Sequence, residues 1–181
     1  MTARHNASPD SSAQHAGDPL PSWSALVNVY QAVLHDVVAE LDRRVGMDSG
    51  VFSALAYLER AVPPHRMPMG ELQRAMHPRY SQPGFSRLVQ RMEQDGLVER
   101  RTDASDRRAT VIVTTRAGRA QFRAANAVYV DALQESFGRH LGPADHDRVA
   151  TILDRVVDRR RAQADPDLAT SAKNRSRDGH F

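Results

Sequence analysis

Apolar residues in this chain recur first at steps of three and four, then briefly at steps of two, then again at three and four. Trp23, Leu26, Val27, Tyr30, Val33, Leu34, Val37, Val38 and Leu41 predict a long helix that starts after Pro21-Ser22 and ends at Gly46. Val51, Phe52, Leu55 and Leu58 predict a second, capped by Asp48 or Ser49 and stopped by Pro63-Pro64. A short third helix is expected over 69–77, with Leu72, Ala75 and Met76 inward and Pro78 ending it.

The fourth helix carries the most information. Ser81 fits its N-cap, and Pro83 falls in the first turn, where a missing N–H costs nothing. Phe85, Leu88, Val89 and Met92 make one apolar stripe. At about 100° per residue, Arg87, Gln90, Arg91 and Gln94 fall on the opposite face. Amides and guanidinium groups are the side chains that pair with adenine and guanine edges in a DNA major groove. Gly96 closes this helix.

Two extended segments follow, 97–101 and 109–114, joined by a polar turn over 102–107. The second, Ala-Thr-Val-Ile-Val-Thr, is rich in β-branched residues, as strands are. A hairpin with a basic tip after such a helix reads as a wing. A long helix from Thr114 or Thr115 then carries Phe122, Ala125, Val128, Ala132, Leu133 and Phe137 on its apolar face, up to a break at Gly142-Pro143. Pro143 opens the last helix, with Val149, Ile152, Leu153, Val156 and Val157 expected inward. The fold class is mainly α with a small β-hairpin wing: a winged helix-turn-helix between flanking helices.

Composition narrows the chemistry. In 181 residues there is no cysteine, which excludes disulfides, thiolate metal sites and cysteine nucleophiles. No apolar run approaches the roughly 20 residues of a membrane helix. Residues 1–21 are rich in Ser, Pro, Ala, Asp and His without a period, so they are expected to form a disordered arm, and 163–181 a disordered tail. The arm has no apolar centre and does not look like a secretion signal, so the expected location is the cytoplasm.

The net charge is only +3, yet between Arg60 and Arg123 there are 13 arginines against six acids. That local excess suggests an anionic partner, nucleic acid being the usual one, although a solvated charged surface fits charge alone equally well. The eight histidines show no i, i+4 pair on one helix face, so no metal ligand set is assigned. There is no glycine-rich phosphate loop, nucleophile elbow or paired-carboxylate pattern, and neither an enzyme nor a cofactor is expected.

The run Gly-Glu-Leu-Gln-Arg-Ala-Met at 70–76, the helix at 81–96, the strand Leu-Val-Glu-Arg-Arg, the wing tip Asp-Ala-Ser-Asp-Arg-Arg at 103–108 and the Val-Ile-Val-Thr-Thr strand resemble, in that order, the MarR family of bacterial transcriptional regulators. The strong part covers about 45 residues, and the flanking helices extend the layout to 22–162. The resemblance implies a homodimer interlocked through 22–45 and 115–162, with 48–114 as the winged helix-turn-helix. It implies double-stranded DNA as partner, with Ser81, Gln82, Ser86, Arg87, Gln90 and Arg91 facing bases or phosphates. In the wing, Asp106 is expected to brace Arg108, and Arg107 or Arg108 to enter the narrow minor groove. Pro83 and Gly84 stand where the family commonly has polar, base-contacting residues, which leaves the operator sequence open.

Many relatives release DNA on binding a small aromatic or anionic effector. Trp23, Tyr30 and Tyr57 could line such a cleft with an arginine such as Arg91 as the anion's partner, or could simply be core or dimer-interface residues. The nearest equivalent of the acidic residue used by urate-sensing relatives is Ser53, so that specificity is not carried over. The expected function is a sequence-specific regulator, a repressor released by a ligand. The alternative is a constitutive or architectural DNA-binding protein without an effector.

Overall fold

The computed structural model describes residues 18–62, 65–103 and 109–164. Among these, the chain forms six α-helices and a three-stranded antiparallel sheet, dividing into two compact units at Ser136 and Phe137. None of the described helices is long and apolar enough to cross a membrane.

In the first unit, α1 (Leu20–Val45) starts ahead of the expected Pro21-Ser22 boundary, taking Pro21 into its first turn. Gly46 closes it at φ +60°, a left-handed conformation that glycine adopts without a Cβ clash. Only its second half is covered: Val37 and Leu41 are buried, while Leu20, Trp23, Leu26 and Val29 stand in solvent. Helix α2 (Ser49–Arg60) is capped by Asp48, whose Oδ1 accepts from the Gly50 and Val51 amides at 2.8 and 3.2 Å. Val51, Phe52, Leu55 and Leu58 are all buried, as the stripe predicts.

Strand β1 (Arg66–Pro68) was not expected. It pairs with the strand that returns from the wing, through Met67 and Ile112. The chain reaches it through His65, held at φ +68°, whose N–H donates to the Leu58 carbonyl at 2.8 Å and whose carbonyl accepts from Thr114 N at 2.7 Å. Then come α3 (Met69–Met76), α4 (Gln82–Gln94), β2 (Val98–Thr102) and β3 (Thr110–Thr114). The strand order is β1-β3-β2.

Phe85, Leu55, Leu58, Leu72, Met92 and Ile112 lose essentially all solvent contact at the centre of this unit. Side chains of this size contribute roughly 1.5–3 kcal/mol each on burial. Helix α5 (Arg116–Ser136) packs along α1 and α2. Phe52 stacks on Phe122 and Tyr129 with ring centroids 5.6 and 4.9 Å apart, which joins α2 to α5.

Helix α5 ends six residues short of the expected Gly142-Pro143 break. Phe137 therefore does not lie on its face but in the second unit, ahead of a 3-10 turn at Gly138–His140 and α6 (Pro143–Ala164). There His146 bonds the Gly138 carbonyl at 3.0 Å and meets the Phe137 ring edge-on. The expectation that α6 turns Ile152, Leu153, Val156 and Val157 inward does not hold within one chain. All four are exposed, Ile152 at 57% and Val156 at 52%.

Candidate nucleic-acid interface

The α3–turn–α4 hairpin is seated by apolar anchors at both ends. Leu72 and Met76 of α3, and Phe85, Leu88, Val89 and Met92 of α4, are buried against α2 and the sheet. Ser81 Oγ accepts from Gly84 N at 3.3 Å, so the sequence-expected cap starts α4. With the apolar stripe fixed inward, Gln82, Arg87, Gln90 and Gln94 point to solvent and Ser86 is half-buried. Arg87 Nε donates to the Pro83 carbonyl at 3.3 Å, which holds the base of its guanidinium against the helix.

Arg91 differs from the others. It lies on the flank of α4, and its Nη2 is 3.2 Å from Asp48 Oδ1, the oxygen that caps α2. Its half-exposed guanidinium is therefore paired with a neighbouring carboxylate.

The hairpin is tied down at its base. Thr115 Oγ1 donates to the Gly96 carbonyl at 2.7 Å and accepts from Gly118 N at 2.9 Å, so one hydroxyl caps α5 and grips the end of α4. A Cβ on Gly118 would run into the Leu97 carbonyl, which keeps this approach open only to glycine. Arg66 of β1 reaches Asp103 at the foot of the wing at 3.5 Å, and Arg101 pairs with Glu99 at 2.7 Å. The wing-tip residues Asp106, Arg107 and Arg108 lie outside the described residues.

Behind this face is a cleft of about 240 Å³ between α1, α2 and α5, lined among others by Tyr30, Phe52, Tyr57, Arg60, Arg79 and Tyr129. Arg79, in the turn before α4, donates from Nη2 to the Tyr30 hydroxyl at 3.2 Å and from Nη1 to Ser53 Oγ at 3.4 Å. The next residue, Tyr80, rests on Gly50, where a Cβ would overlap its hydroxyl. Burial raises the Tyr80 pKa above the usual phenol range, and the Asp48 carboxylate adds to this, with Arg79 and Arg91 partly opposing.

Residues 45–109 match the model of the MarR family. That match covers about a third of the chain. No curated protein sequence matches the chain. Among solved structures, AbsC, a MarR family transcriptional regulator from Streptomyces coelicolor, superposes with a TM-score of 0.67 at 24% identity, covering 79% of this chain and 94% of its own. Sco3205 from the same organism, a MarR family regulator solved in complex with DNA, gives 0.65 at 23% over 78% and 90%. A mutant MarR from E. coli complexed with operator DNA gives 0.62 at 19% over 78% and 96%. At such identities the likeness is one of fold.

Within the matched segment, the structure brings Gln82, Arg87 and Gln90 onto one outward face with Ser81 at its start, and pairs the half-exposed Arg91 with Asp48. In the cleft it joins Tyr30 to Tyr57 but leaves Trp23, 62% exposed, out of the lining. The arginines at the cleft are Arg60 and Arg79, not Arg91. Sequence reasoning missed both. Arg60 ends α2 without an apolar period of its own, and Arg79 lies in a turn that has none.

Proposed function

We propose that this protein is a homodimeric, sequence-specific DNA-binding transcriptional regulator, acting as a repressor that a small-molecule effector releases. The observation that carries the DNA reading is the outward face of α4: Gln82, Arg87 and Gln90 exposed on a helix whose other side is locked into the core. Guanidinium and amide groups on a rigid helix of groove-sized width suit base edges, and a hairpin beside it suits the neighbouring groove. Two DNA-bound structures share the fold, which supports the same use here.

The dimer reading rests on uncovered apolar surface. Leu20, Trp23, Leu26 and Val29 of α1 are exposed, and so are Ile152, Leu153, Val156 and Val157 of α6. Apolar stripes of this length are usually buried by a partner, and a second copy carrying the same stripes is the simplest one. Two copies would place two α4 helices on half-sites about one helical turn apart. The effector reading rests on the cleft, whose tyrosines and two arginines suit an aromatic ring bearing a negative charge.

The test is fluorescence anisotropy of the full chain with duplexes from upstream of its own gene, at several salt concentrations. Tight binding to one duplex that weakens steeply with salt is the expected result. Equal weak binding to every duplex would favour an architectural role, and no binding at low salt would overturn the proposal. Benzoate, as a probe aromatic anion, is expected to lower the affinity.

A further inference from the structure

Three successive residues in the turn before α4 together reach three helices. Arg79 bonds Tyr30 on α1 and Ser53 on α2, residues 49 and 26 positions away in the chain. Tyr80 packs over the first turn of α2 at Gly50, where the absence of a Cβ leaves room for its hydroxyl. Ser81 caps α4. Ser53 Oγ is itself anchored, donating to the Ser49 carbonyl at 2.8 Å while accepting from Arg79.

We infer that Arg79 and Tyr80 form a latch that sets the orientation of the first turn of α4 from the cleft. The inference rests on the DNA-binding reading above and names the element through which that site is regulated. Arg79 is a positioning residue: it lines the cleft and acts on the outward face through Ser81 and Gln82. Its guanidinium is shared between two neutral hydroxyls. A carboxylate entering the cleft is a stronger acceptor than either, because it pairs opposite charges with the guanidinium and can take two of its N–H groups at once. The effector would therefore draw Arg79 off Tyr30 and Ser53 and release the turn. A ligand shifts such an equilibrium only by its difference in affinity for the two arrangements, and Arg79 supplies that difference.

The experiment uses the full-length chain, hydrogen–deuterium exchange over residues 79–86, and the duplex assay in parallel. Tyr30→Phe removes one hydroxyl on α1 and keeps the ring. Arg79→Met removes the guanidinium and keeps the length. Both variants are expected to speed exchange over 79–86, Arg79→Met more because it also loses the bond to Ser53, while the buried part of α2 stays as protected as in the parent. The double variant is expected to add nothing further. Affinity for the preferred duplex is expected to fall about three- to tenfold, the worth of one or two such hydrogen bonds. Benzoate is expected to speed exchange over 79–86 in the parent and to have no such effect in Arg79→Met. Unchanged exchange in Tyr30→Phe would overturn the tie to α1, and a benzoate response that survives in Arg79→Met would overturn the coupling. A parent that binds no duplex would sink the regulator reading alone, because exchange still decides the latch.

Discussion

Asp48 Oδ1 serves two helices at once: it accepts from the Gly50 and Val51 amides to cap α2, and Arg91 Nη2 of α4 stands 3.2 Å away. One carboxylate thus starts one helix and steadies the flank of the next. Both partners are half-exposed, so the ion pair itself contributes little, while the cap is worth about 1 kcal/mol. Asp48→Ala is expected to lower unfolding stability by about 1–2 kcal/mol. Asp48→Asn keeps an acceptor oxygen, and its loss is expected to stay under about 1 kcal/mol. Urea melts of the two variants check this, and equal losses would show that the charge, not the cap, dominates.

Thr114 Oγ1 is buried and has no hydrogen-bond partner among the described residues. A hydroxyl stranded this way costs roughly 1–3 kcal/mol of desolvation. Valine has nearly the same shape and nothing to satisfy. Thr114→Val is therefore expected to raise stability by about 1 kcal/mol, seen as a higher urea midpoint at unchanged slope. A lower midpoint would mean that the hydroxyl has a partner, such as a bound water.

Tyr80 gives a pH signature. Its pKa is raised in the folded chain, chiefly by burial. The unfolded chain then ionises first as pH climbs, so the folded state loses stability as pH rises through the folded value. Below the usual tyrosine range near pH ~10 this contribution is complete. Tyr80→Phe is expected to flatten the alkaline limb of the stability profile while leaving the neutral region's pH dependence as in the parent. An unchanged alkaline limb would assign that loss to other groups.

How much of this was legible beforehand follows from what each pattern can encode. The stripes of α2 and α4 named their buried residues correctly because one face of each meets the core along its whole length. The stripes of α1 and α6 named an apolar face equally well, but periodicity does not say what covers it, and in one chain Trp23 and Ile152 face solvent. Strand β1 is three residues long, ends in proline and follows a left-handed His65, so no alternation was there to read. Arg91 sits at the edge of the outward arc of α4, where a helical wheel cannot foresee an acid from another helix. Arg79 lies in a turn without period, and its partners Ser53 and Tyr30 are distant in the chain, so only the folded structure brings them together.

The exposed stripe on α6 yields a test of assembly. Val156→Asp and Ile152→Asp place a charge where the proposed partner chain would bury the residue, while both sites are already solvent-exposed in the single chain. Burying an unpaired charge costs several kcal/mol, enough to dissociate most dimers, whereas an exposed charge costs little. Sedimentation equilibrium is expected to show a dimer for the parent and a monomer for each variant, with the helical circular dichroism of the parent retained. Variants that remain dimeric would move the interface away from α6.

Arg87 and Arg108 separate the two kinds of contact that the proposed regulator makes. Arg87 stands on the outward face of α4 with the base of its guanidinium held at the Pro83 carbonyl, so its outer end suits a guanine edge. Arg108, at the wing tip, is expected to enter the minor groove, where narrowness rather than base identity attracts a guanidinium. Arg87→Ala is expected to cost about 1–3 kcal/mol on the preferred duplex and to flatten its advantage over altered sites. Arg108→Ala is expected to weaken all duplexes alike and to reduce the salt slope by about one. Anisotropy titrations of both variants against a panel of single-base substitutions at three salt concentrations distinguish the patterns. If the preference survives in Arg87→Ala, the bases are read elsewhere on α4, with Gln82 and Gln90 the next positions to change.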